Sequence, residues 1–94
     1  MKRPISWNEE KNLWLRETRG FGFEDVVAAI DDEAVLDDLE HPSPRYAHQR
    51  MLVVRIGGDA VLVPYLTDET GSFLKTAYAS RKYRRVYLGD TDDG

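Results

Sequence analysis

Phe23, Val26, Val27 and Ile30 stand at i, i+3, i+4 and i+7. That spacing predicts one apolar face of a helix, with Glu24, Asp25 and Asp31 turned outward. Upstream, Ile5 to Trp7 is short and β-prone, and Asn8 can cap a helix whose first turn carries Glu9 and Glu10. That helix is expected to run to about Thr18 and to stop before Gly20 and Gly22. Val35, Leu36 and Leu39 are compatible with a helical extension or a short separate piece, and His41-Pro42-Ser43-Pro44 breaks regular structure. Gln49 to Ile56 and Ala60 to Leu66 are β-prone runs around Gly57-Gly58-Asp59, hence a hairpin. Pro64 cannot donate in a ladder, so it marks an edge, a bulge or a strand end. Thr67 to Ser72 is read as a turn and Phe73 to Ala79 as a third strand. Ser80 caps a last helix, Arg81 to Leu88, that Gly89 ends. The order β-α-α-β-β-β-α implies an α+β domain: an antiparallel sheet with its helices packed on one face and the other face partly open. Trp7 and Trp14 read as core or hairpin-edge packing, and Tyr83, Val86 and Tyr87 as the packed face of the last helix.

With 94 residues the chain suits one domain, 1–89, followed by an acidic, frayed tail at 90–94. Hydrophobic residues are 41% and charged residues 32%, a globular balance. The absence of cysteine excludes disulfides, thiolate metal sites and a thiol nucleophile. No apolar stretch suits a signal peptide or a membrane span, so a cytoplasmic protein without membrane contact is expected. The net charge is −4, yet it is unevenly spread. Glu24 to Glu40 holds eight acids and no Lys or Arg, whereas Lys75 to Arg85 holds five bases and no acid. Such asymmetry can give an acidic protein a positive face; two solvated helix faces of opposite sign would read the same way.

His41 and His48 lack the spacing of a zinc motif, no glycine-rich phosphate loop follows a strand, and no serine–histidine–acid arrangement is present. No cofactor or metal is therefore expected. The basic third is more informative. Side-chain alternation puts Lys75, Ala77 and Ala79 on one face of a strand, so the lysine stands clear of its small neighbours. Arg81 and Lys82 open the last helix beside free backbone N–H groups, which together can hold a phosphate. Cations there oppose the helix dipole at a few tenths of a kcal/mol each, which points to an anionic partner. Tyr46, Tyr65 and Tyr78 are candidates to stack a base or orient a phosphate.

Several stretches resemble the BrnT-type toxins of bacterial toxin–antitoxin pairs. Trp7-Asn8-Glu9-Glu10-Lys11-Asn12 resembles their N-terminal W-[DN]-x-x-K-N, and Phe23-Glu24-Asp25 the start of their second helix. Phe73-Leu74-Lys75-Thr76 and Ser80-Arg81-Lys82 resemble the end of their last strand and the start of their final helix. His41-Pro42, Tyr46, Gln49 and Val63-Pro64-Tyr65 resemble one branch of the family, so the likeness runs from Ile5 to Gly89. It implies a RelE-like fold, a ribbon–helix–helix antitoxin as partner, operator DNA bound only through that antitoxin, and RNA, free or on the ribosome, as target. The expected reaction is metal-independent cleavage of RNA, which inhibits translation. Lys75, Arg81 and Lys82 would contact phosphate, with Arg84 and Arg85 adding RNA contacts. His48 would be the base, since imidazole titrates near neutrality, with His41 a weaker candidate. Tyr65 or Tyr78 would position a base or transfer a proton. Better-known members carry an arginine near the end of the penultimate strand and another in the last strand, where this chain has Leu66-Thr67-Asp68 and Lys75. The alternative is a binding module without chemistry that docks its antitoxin or the ribosome.

Overall fold

The computed structural model describes residues 4–46 and 48–89; the tail expected at 90–94 and the side chain of Tyr46 lie outside the described residues. The chain forms β1 (Ile5–Trp7), α1 (Glu9–Arg19), α2 (Phe23–Asp31), β2 (Val35–Glu40), β3 (Arg50–Ile56), β4 (Asp59–Asp68), β5 (Gly71–Leu74), β6 (Tyr78–Ala79) and α3 (Arg81–Leu88), with a 3-10 turn at Pro44–Tyr46. This is a mixed α+β fold with three helices and a six-stranded sheet in the order β1-β5-β4-β3-β2, with β6 also paired to β4. The strands β2 to β5 form an antiparallel meander. β1 lies parallel to β5, so the sheet is mixed rather than purely antiparallel. The α1–α2 pair carries the chain over the sheet from one edge strand, β1, to the other, β2.

Helix ends follow local chemistry. The Asn8 side chain accepts from Lys11 N at 3.0 Å, and Gly20 closes α1 with φ 80. α2 ends in a Schellman arrangement, Glu33 N to Ile30 O at 3.1 Å and Ala34 N to Ala29 O at 2.8 Å. Glu33 occupies its left-handed position at φ 58, where glycine is usual. That turn ends the helix, and Val35–Glu40 becomes an edge strand rather than a helical extension. In the β3–β4 hairpin Ile56 pairs with Asp59, and Gly57 supplies φ 61 at the first turn position.

Strand alternation divides the core in two. Leu52, Val54, Val61, Val63 and Tyr65 meet Leu15, Phe23, Val26 and Ala29 of α1 and α2 on the first face. Met51, Val53, Ala60 and Leu62 meet Tyr83, Tyr87 and Leu88 of α3 on the second. The helices therefore flank the sheet on both faces, which corrects the one-face arrangement expected from the sequence. The last helix was expected to pack through Val86, but Val86 is 63% exposed and Leu88 takes its place. Trp7 stacks on Phe23 with ring centroids 5.6 Å apart. Trp14 faces outward instead of into the core, 41% exposed.

Candidate nucleic-acid interface

The stretch expected as one strand, Phe73 to Ala79, is two strands joined by the link 75–77. Pro64 explains the break. Its carbonyl accepts from Lys75 N at 2.8 Å. In a strand the nitrogen and carbonyl of one residue point to the same side, so the proline nitrogen also faces the link. It has no hydrogen to offer, and the β5 ladder ends at Tyr65↔Leu74 while the β6 ladder begins at Leu62↔Tyr78. Pro64 thus sits where β4 needs no donor. Leu74 is buried on the first face and Lys75, the first residue of the link, is exposed, whereas Ala77, expected to share a face with Lys75, is buried in the first core because the link breaks the strand's alternation.

Ser80 N donates to Ala60 O at 2.9 Å, which pins the start of α3 four residues along β4 from Lys75. At strand rise the two anchor points are about 13 Å apart. The Ser80 side chain accepts from Tyr83 N at 3.2 Å, and Arg84 N is taken by Ser80 O. Arg81 and Lys82 flank this cap and are exposed, as is Arg85 a turn later; Arg84 is half-buried. Tyr83 and Tyr87 stack at 5.9 Å and turn inward, which holds the cationic side outward. Among the described residues the ion pairs are Arg16 with Glu24 and Asp25 and Arg50 with Asp38, so Lys75, Arg81, Lys82 and Arg85 carry charge that no carboxylate in those pairs neutralises.

The second face stays open beyond α3. Phe73 is 37% exposed there. Beside it a hollow of about 470 Å³ is lined by Ser6, Leu66, Thr67, Ser72 and Phe73, among others. Tyr78 stands at the link's far end, 36% exposed. Its phenol is raised above the ordinary value by burial and by Tyr83, with Arg19 opposing, so it is protonated at neutral pH. Arg19 was not singled out by sequence reasoning. Its Nη1 donates to Ala77 O at 2.5 Å, which ties the end of α1 to the link.

Other expected residues lie elsewhere. His48 is exposed in the loop before β3, on the opposite side of β4 from Lys75. β3 and β5 are two strand spacings apart, about 10 Å. His41 sits after β2, where its Nδ1 accepts from Ser43 N at 3.2 Å. Tyr65 is 4% exposed, with its ring in the first core. Its hydroxyl donates to Asp38 at 2.8 Å, and Arg50 Nε donates to the same carboxylate at 3.1 Å. Burial and that carboxylate push the phenol up to about 12. A ring so enclosed has no face for a base. The structure thus sets Lys75, Tyr78, Arg81 and Lys82 along one side of β4 and His48 on its other side, and it encloses Tyr65.

Most of the acids between Glu24 and Glu40 are exposed, as their spacing suggested, and some of them also hold partners. Asp37 accepts from the Tyr87 hydroxyl, which holds its carboxyl below the usual range. Glu24 accepts from Asn12 Nδ2 at 2.8 Å and from Arg16 at 2.6 Å, which also lowers its carboxyl. Asn12 Oδ1 accepts from Phe23 N at 2.7 Å. The stretch Trp7 to Asn12 thus caps α1, joins α1 to α2 and stacks on Phe23: its residues build the fold rather than a reaction centre. Among the described residues no group of three or more His, Asp or Glu is placed to hold a metal ion. No helix there is long and apolar enough to cross a membrane. Comparisons with protein-family models, with curated proteins and with solved structures give no match to this chain.

Proposed function

We propose that the chain is the toxin of a type II toxin–antitoxin pair, of the BrnT type with a RelE-like fold, and that it acts on RNA along the edge formed by the link 75–77 and the first turn of α3. One observation carries the RNA reading: Lys75, Arg81, Lys82 and Arg85 present charge outside every ion pair among the described residues, beside an open part of the sheet. The proposed reaction is metal-independent: a ribose 2′-hydroxyl attacks the adjacent phosphorus and gives its proton to water, the bond to the 5′-oxygen breaks, and a 2′,3′-cyclic phosphate is left. Lys75 and Arg81 would stabilise the charge growing on the phosphate oxygens. Tyr78, which keeps its proton at neutral pH, suits the acid that protonates the leaving 5′-oxygen. The proposed partner is a ribbon–helix–helix antitoxin that also supplies the operator contact, and the proposed setting is the cytoplasm.

A second reading rests on the position of His48. With the His48 imidazole across β4, no histidine among the described residues stands beside the cations to take the 2′-proton. A protein that binds RNA, ribosome or antitoxin at this edge without cutting needs no such group. Incubating purified protein with RNA and a chelator separates the two. Cleavage that survives chelation and is lost in both Lys75→Ala and Arg81→Ala supports the enzyme. Intact RNA, bound by wild type and not by those variants, supports the binder. Full activity in both variants rejects the site.

A further inference from the structure

We infer that the RNA-binding edge continues around the sheet onto α1, where Trp14 is a stacking platform for one base of single-stranded RNA; the inference rests on the RNA reading above. Trp14 is 41% exposed, and Leu13 beside it is 60% exposed. Lys11 Nζ lies 4.3 Å and the Arg19 guanidinium 4.7 Å from the indole centroid. Both cations lie over the ring, so a base that stacks on the indole takes the face they leave or displaces one of them, and the displaced cation is then at hand for the neighbouring phosphate. Arg19 also makes the connection: the same side chain that meets Trp14 donates to Ala77 O at 2.5 Å in the link. Its charge also opposes the rise of the Tyr78 phenol. Lys75, Tyr78, Arg19, Trp14 and Lys11 thus follow one another from the open sheet face to α1.

Helical pitch gives the path a direction. At 3.6 residues per turn, Lys11, Thr18 and Arg19 fall on one flank of Trp14, and Glu10 and Glu17 on the other. The cationic flank faces the link and the acidic flank faces away from it. A polyanion can approach Trp14 from the link and is repelled beyond it, so the platform ends the track and takes a single base. Arg16, on the same helix, is committed to Glu24 and Asp25 and adds nothing here. An acidic protein segment is the competing occupant. It would use the cations and has no need of the indole face.

The test is binding of a labelled short oligouridylate to the full chain, read by anisotropy, in wild type, Trp14→Ala and Trp14→Phe. Trp14→Ala is expected to weaken binding by about 5- to 150-fold, the worth of one base–aromatic stack. Trp14→Phe, which keeps a ring, is expected to recover most of it. In a Trp7→Phe background, where Trp14 is the one tryptophan, RNA is expected to quench the tryptophan emission excited outside the tyrosine band. If wild type binds the RNA, and Trp14→Ala binds it equally with no quenching, the platform is overturned while the RNA edge stands. If wild type binds no RNA, both readings fall. Quenching by polyglutamate but not by RNA overturns the platform in favour of an acidic protein partner.

Discussion

Replacing Asn12 by alanine is expected to cost about 3 kcal/mol of stability, roughly a third of what a domain of this size has. The sum comes from the contacts of one side chain that is 3% exposed. Oδ1 accepts from Phe23 N at 2.7 Å and so caps α2 from a neighbouring helix. Loss of such a cap costs about 1 kcal/mol. Nδ2 donates to Glu24 at 2.8 and 3.0 Å and to Glu9 at 3.2 Å, and hydrogen bonds to charged groups contribute about 1.5–3 kcal/mol. The alanine variant also leaves a buried N–H without an acceptor. Urea denaturation followed by circular dichroism measures the loss, and the melting temperature should fall by about 12–24 °C. Asn12→Asp makes the test specific. It keeps an acceptor for Phe23 N but sets a carboxylate against Glu24 and Glu9. That variant should be destabilised at neutral pH and regain stability as the pH drops into the carboxylate range. An alanine variant within about 0.5 kcal/mol of wild type, the scale of an ordinary surface change, would refute the reasoning, as would an aspartate variant indifferent to pH.

Glu33→Gly should stabilise the protein by about 1 kcal/mol by relieving a left-handed non-glycine residue, read from the same urea curves. Gly22→Ala should destabilise it, because a Cβ there would lie 2.6 Å from Asn12 Oδ1 and 2.8 Å from Arg16 Nε; a thermal melt unchanged from wild type would count against the packed α1–α2 joint. The Tyr65 phenol is raised from 10.0 to about 12, so the folded state holds that proton more tightly than the unfolded one. Its contribution is complete below pH 10 and is lost as the pH climbs toward 12, so denaturation midpoints should fall over that window and fall less in Tyr65→Phe. Glu24 has the opposite sign: its carboxyl is lowered, so its contribution is present at neutral pH and is lost on acidification, a loss that Glu24→Gln should blunt.

Elements whose partners are close in sequence were legible. The α2 stripe, the Asn8 and Ser80 caps and the Gly57 hairpin each follow from a few adjacent residues, and each is present. β2 was not legible. Asp and Glu disfavour strands, and what compensates them lies far along the chain: Tyr65 and Arg50 hold Asp38, and Tyr87 holds Asp37. The placement of α3 on the second face was hidden for a similar reason. Ala60 and Leu62 read as strand residues whichever face a helix later covers. At the candidate site the cations were found because charge runs are visible in one dimension. Arg19 was missed because only the folded chain brings it to Ala77. Tyr65 was read as available because tyrosine on a strand gives no sign of which face is roofed.

The parallel pairing of β1 with β5 has a consequence for the order of assembly. Ile5 meets Ser72 and Trp7 meets Leu74, and almost the whole domain lies between them. On a growing polypeptide the site that receives β1 does not exist until β5 has been made and has joined the meander. The loop this closes is the longest in the sheet, and its entropic cost is met only then. A nascent chain stopped short of Gly71 would hold its first strand idle, with Trp7 stacked on a helix that has nothing to anchor its leading end.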